Sequence, residues 1–105
     1  DALERYQTLA ASGALDGYPE QYFQAGALSG QLGRTEAAEE LFRRGLELAP
    51  KGIHYLTFAV LLARNGKPEE AVSAMEQALG RHRGELTAEQ RQLGEAMLAQ
   101  WRRGG

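Results

Sequence analysis

The chain has 105 residues, a formal net charge of -2, 43% hydrophobic residues, 25% charged residues and no cysteine. Disulfides and thiolate metal sites are therefore excluded, and the missing basic excess argues against nucleic acid, whose phosphates demand clustered Lys and Arg. The length suits one small domain, and a domain this small draws its core from neighbouring units stacked on each other.

A first helix is expected over residues 2–11, where Leu3, Tyr6, Leu9 and Ala10 share a face. Residues 12–17 form a breaker-rich loop. Pro19 suits the first turn of a second helix over residues 20–32, because its missing N–H costs nothing there. Within that helix Gly26 and Ser29 are small enough to admit a close neighbour, and Gly33 supplies the left-handed C-cap. Thr35 is the expected cap of a third helix, with Glu36 favoured in its first turn. Ala38, Leu41, Phe42 and Leu46 make its buried stripe, the pairs Glu39–Arg43 and Glu40–Arg44 face solvent, and Pro50 closes it. Gly45 interrupts this helix at a cost of about 1 kcal/mol against Ala, so close packing is its expected reason.

A fourth helix over residues 53–65 is apolar on nearly every side and should be buried on more than one. Asn65-Gly66 ends it. Pro68 opens a fifth helix, whose inner stripe is Ala71, Met75, Ala78 and Leu79. Residues 81–84 form a polar connector. Thr87-Ala-Glu-Gln90 matches a capping box for a sixth helix, on which Leu93, Met97 and Trp101 form a stripe expected to be core.

Gly33 and Gly66, Ala38 and Ala71, and Leu46 and Leu79 are each 33 positions apart. A fixed period of this size is the mark of stacked repeats. Ala38-x3-Phe42, Pro50 and, one period later, Ala71-x3-Met75 resemble the second-helix motif of the tetratricopeptide repeat, a helix–turn–helix of about 34 residues. Tyr22 and Ala25-Gly26 stand in its first-helix places, and Arg83 replaces the second unit's proline. The resemblance implies an all-α fold, a right-handed α-α superhelix of helical hairpins. The array divides into residues 1–18 (the second helix of a preceding unit and a loop), repeats over 19–51 and 52–84, and a partial-repeat or capping helix over 85–105.

By the same resemblance, first helices line a concave groove that takes a partner peptide, helix or domain. Carried across in register, the groove residues are Phe23, Ala27, Gln31, Ile53, Leu56, Val60, Arg64 and Arg91. Phe23, Ala27, Leu56 and Val60 stand where a carboxylate clamp would need polar groups, so an amphipathic helix or hydrophobic segment fits better. Phe23, Leu56 and Val60 are the expected anchor.

No catalytic constellation is present. His54 and His82 lack ligands at metal spacing, and Glu36, Glu39, Glu40, Glu69 and Glu70 are explained by their places at helix starts. The glycines are scattered, without a phosphate-binding loop. The expectation is a non-enzymatic interaction scaffold with no metal or cofactor, a protein partner, no nucleic acid and no membrane insertion. The alternatives are a homo-oligomerisation module, its groove filled by a twin, and a regulatory extension of an enzyme. The chain opens on Asp1 and carries no signal peptide, and it reads as a piece of a larger bacterial protein, soluble in cytoplasm or periplasm, of the kind that serves envelope secretion or assembly.

Overall fold

The computed structural model describes Glu4, Arg5, Thr8, Ser12, Gly13 and residues 17–104. Its elements are α1 (Pro19–Gln31), α2 (Thr35–Leu48), α3 (Gly52–Arg64), α4 (Pro68–Leu79), a 3-10 turn (Arg83–Glu85) and α5 (Ala88–Arg102), with no strand among the described residues. The apolar face expected over residues 2–11 lies outside the described residues; Glu4, Arg5 and Thr8 are helical, and the Thr8 hydroxyl donates to the Glu4 carbonyl at 2.9 Å. The chain forms two compact units, residues 1–50 and 51–105.

In the first unit α1 and α2 pack as a hairpin. The turn is a Schellman closure: Gly33 has φ 75°, and the Arg34 N–H donates to the Ser29 carbonyl at 2.9 Å. The core is built from two exchanges of an aromatic ring for a missing side chain. A β-carbon at Gly26 would stand 2.7 Å from Cδ2 of Phe42, and one at Gly45 would stand 2.8 Å from Cε1 and Cζ of Phe23. Each glycine thus opens a slot that the opposite helix fills, and the two rings meet with centroids 5.7 Å apart. Each buried Phe contributes about 1.5–3 kcal/mol relative to exposure, which outweighs the helix-propensity cost of the glycine facing it, about 1 kcal/mol. Ser29 satisfies its hydroxyl within this core by donating to the Ala25 carbonyl at 2.8 Å.

Two local expectations are corrected in α2. Thr35 is its first helical residue, not its cap; Arg34 precedes the helix and provides no side-chain cap. Glu39 is only 2% exposed, not solvent-facing, and meets Arg43 at 3.5 Å. Arg44 pairs with Glu47 at 3.2 Å.

The second unit repeats the hairpin with α3 and α4. Its turn is the same one 33 residues on: Gly66 has φ 77°, and the Lys67 N–H donates to the Leu62 carbonyl at 2.9 Å. The core here is mostly aliphatic: Leu62 and Met75 are fully buried, Ala59, Ala71 and Ala78 are buried with them, and Phe58 is its buried ring. The helix α5 packs on α4. A β-carbon at Gly94 would lie 3.0 Å from Sδ of Met75 and 3.2 Å from Cδ2 of Leu79, so this glycine is the contact point. The buried side of α5 is Gly94 and Leu98. The expected core stripe is therefore displaced: Leu93 is 51% exposed, and Met97 and Trp101 are half-buried. The Thr87–Gln90 capping box forms in full, with reciprocal bonds of 3.1 and 2.8 Å.

Candidate partner-binding surface

The eight residues assigned to the groove fall into three groups. Ala27 and Gln31 on α1 and Ile53 and Arg64 on α3 are exposed, and Val60 is half-buried. On α3 the residues Ile53, Thr57, Val60 and Arg64 follow one another at helical spacing, so the helix presents a continuous stripe, apolar at its start and cationic at its end. Thr57 turns its hydroxyl back to the Ile53 carbonyl at 2.9 Å, which leaves its methyl group to the stripe.

Phe23 and Leu56 are a different case. Phe23 is 4% and Leu56 7% exposed, so neither is the surface anchor expected from the sequence. The reason is plain for Phe23: the slot above Gly45 admits its ring, and the ring of Phe42 closes over it. Periodicity along α1 could not show this, because the space is made by a residue on α2.

Arg91 is the third case. Its Nη1 donates to the carbonyls of Leu86 at 2.9 Å and Arg83 at 3.3 Å. The guanidinium thus holds the turn before α5 and is engaged within its own unit. Beside it Arg83 pairs with Glu95 at 2.8 Å.

Glu85 is a functional residue that no motif singles out. Its Oε1 accepts the Gly52 N–H at 2.8 Å, and its Oε2 meets Nδ1 of His82 at 2.7 Å. The hydrogen bond from the Gly52 N–H, and after it that from His82, holds the carboxyl below its ordinary pKa. The signal was an absence. None of Ala49, Pro50 and Lys51 just before α3 has a capping side chain, so the start of that helix is open to an acceptor from elsewhere. The connector reading of residues 81–84 is corrected for His82, which is buried with its ring stacked on Tyr55 at 5.2 Å.

Further along, an open groove of about 450 Å³ is lined by Pro68, Glu69 and Val72 of α4 and by Trp101, Arg102 and Gly104. Its charges are one carboxylate and one guanidinium, and Arg102 is already paired with Glu76. Among the described residues no cluster of three or more His, Asp or Glu is placed to hold a metal ion, and no helix is long and apolar enough to cross a membrane.

The first unit thus has paired helices, a glycine-closed turn and a buried second-helix Ala-x3-Phe. Residues 20–51 match the model of the tetratricopeptide repeat. That stretch is a tetratricopeptide repeat. No curated protein and no solved structure matches the chain. The tetratricopeptide repeat is a module for protein–protein interaction and generally not a catalytic one. The matched segment spans α1, α2 and the turn to α3, and its Ala38, Phe42 and Pro50 are the motif residues.

Proposed function

We propose that the chain is an interaction scaffold whose α3 stripe, Ile53, Thr57, Val60 and Arg64, receives an amphipathic helix or apolar segment of another protein. The tetratricopeptide match over residues 20–51 carries this reading. The stripe supports it further, since Ile53 keeps 38% exposure on a helix whose other large apolar residues are buried or half-buried. Ala27 and Gln31 on α1 are the corresponding exposed positions of the first unit. An apolar start favours apolar anchors, and Arg64 at the helix C-terminus favours an acidic residue beyond them. The rest of the proposal is its setting: a larger bacterial protein, which the arginine- and alanine-rich composition favours, acting as an adaptor in envelope secretion or assembly.

The test is paired affinity capture with the wild-type chain and an Ile53→Glu/Arg64→Glu variant. Both positions are exposed, so far-UV circular dichroism should be unchanged. The account expects a protein retained by the wild type and lost by the variant. Equal capture by both would remove the α3 stripe from consideration.

A second reading rests on Leu93, 51% exposed beside half-buried Met97 and Trp101. It makes α5 a contact between copies of the chain. Mass in solution that rises with concentration, and ceases to rise in Leu93→Lys, would support it.

A further inference from the structure

The start of α3 is held by a residue 33 positions away. The equivalent start in the first unit, at α1, is Pro19, which has no N–H to satisfy. Gly52 stands in Pro19's place one repeat later and does carry an N–H. The second unit answers this new donor with a carboxylate. We propose that Glu85 is an acid-sensitive strap, which in its ionised form fastens the first turn of α3 to the 3-10 turn and on protonation lets that turn fray.

The geometry shows why charge is needed. An ionised carboxylate only accepts, so the proton shared with His82 lies on Nδ1. Glu85 therefore receives two donors at once, one on each oxygen. Protonation removes the charge that strengthens both bonds and puts a proton on one of the two accepting oxygens, so the pair is weakened. The surroundings make the loss worse. Lys51 stands just before the helix, and the positive end of the α3 dipole faces the strap. From α5, Arg91 reaches the Arg83 and Leu86 carbonyls, while Glu95 is paired with Arg83. Tyr55 faces His82 with its ring. Glu85 is thus the acceptor common to Gly52 and His82, and its own neighbours on the helix side are cationic or donors. The small size of Gly52 is part of the device: a β-carbon there would stand 2.9 Å from the His82 carbonyl oxygen and force the strap away.

Nuclear magnetic resonance of the whole chain tests this without a partner. The Glu85 side-chain carboxyl carbon and the Gly52 amide proton are followed together as pH is lowered. Both should titrate with one midpoint, below the value of about 4.3 for a free glutamate. In Glu85→Gln the Gly52 movement should vanish, and the Gly52 to Tyr55 amides should exchange several-fold faster while those of α1 and α2 keep their wild-type rates. A Gly52 amide that stays still while Glu85 titrates, or that titrates unchanged in Glu85→Gln, overturns the strap. Should Glu85→Gln not fold, the wild-type titration alone decides.

Discussion

Phe23 lies across Gly45, with two ring carbons 2.8 Å from the place a β-carbon at position 45 would occupy. The same residue on the solvent side of α1 would have been a binding anchor. Covered by Phe42 and seated on Gly45, it is core. Gly45→Ala therefore sets two effects against each other. Helix propensity favours alanine by about 1 kcal/mol, and overpacking of a filled core costs about 1–3 kcal/mol. With Tyr22 Cβ also only 3.1 Å away, overpacking should win. Urea unfolding should show a net loss of about 1 kcal/mol, the difference of those two terms.

Gly94→Ala should go the other way. Its closest neighbour is the sulfur of Met75 at 3.0 Å, near the end of a flexible side chain that can yield. The propensity gain then survives, and unfolding should show no loss and a gain of up to about 1 kcal/mol. Opposite signs at the two glycines would separate a rigid aromatic slot from a compliant one.

Gly33 and Gly66 close the two hairpins with φ of 75° and 77°. Open space surrounds both, so alanine there meets no atom and pays only for the left-handed backbone. Each substitution should cost about 1–2 kcal/mol. Because the two turns share their hydrogen bonds, the two losses measured by urea unfolding should be alike.

Thr87→Ala removes one half of the capping box of α5 and leaves the Gln90 N–H without its acceptor. The expected loss is about 1 kcal/mol. Hydrogen exchange should place it in the first turn of α5, with the amides near Gly94 least affected.

The pH dependence follows from Glu85. Its pKa is lower in the fold than in the unfolded chain. The stabilisation it provides is complete above the unfolded value, about 4.3, and disappears as pH falls through the folded value. Urea unfolding across that acid range should therefore bring the wild type and Glu85→Gln together as pH drops. Curves that stay a constant distance apart would show that the carboxylate charge is not the source of the difference.

Much of this architecture was legible in the sequence. Gly33 and Gly66 at one period gave both turns, Ala38-x3-Phe42 and Ala71-x3-Met75 gave the inner stripes, and Thr87 with Gln90 gave a cap, because each is a local rule acting over a few residues. Gly26 and Gly45 are also recognisable from the sequence as packing sites. Which ring filled which slot was not legible, because it depends on the facing helix. Phe23 is core rather than surface for that reason, and Leu56 is buried as well. Arg91 and Glu85 escaped for a related one: the first turns back to carbonyls of its own loop, and the second bridges 33 residues to Gly52. Of the candidate surface, Ala27, Gln31, Ile53 and Arg64 were placed by register alone and are exposed.

Both units close around small residues facing larger side chains, the first within the α1–α2 hairpin and the second where α5 packs on α4. A nuclear Overhauser spectrum of the folded chain decides this. Cross-peaks are expected from the Gly26 α-protons to the Phe42 ring and from the Gly45 α-protons to the Phe23 ring in the first unit, and from the Gly94 α-protons to the Met75 side chain in the second. A well-dispersed spectrum in which Phe23 and Phe42 show no contact with either glycine would contradict it.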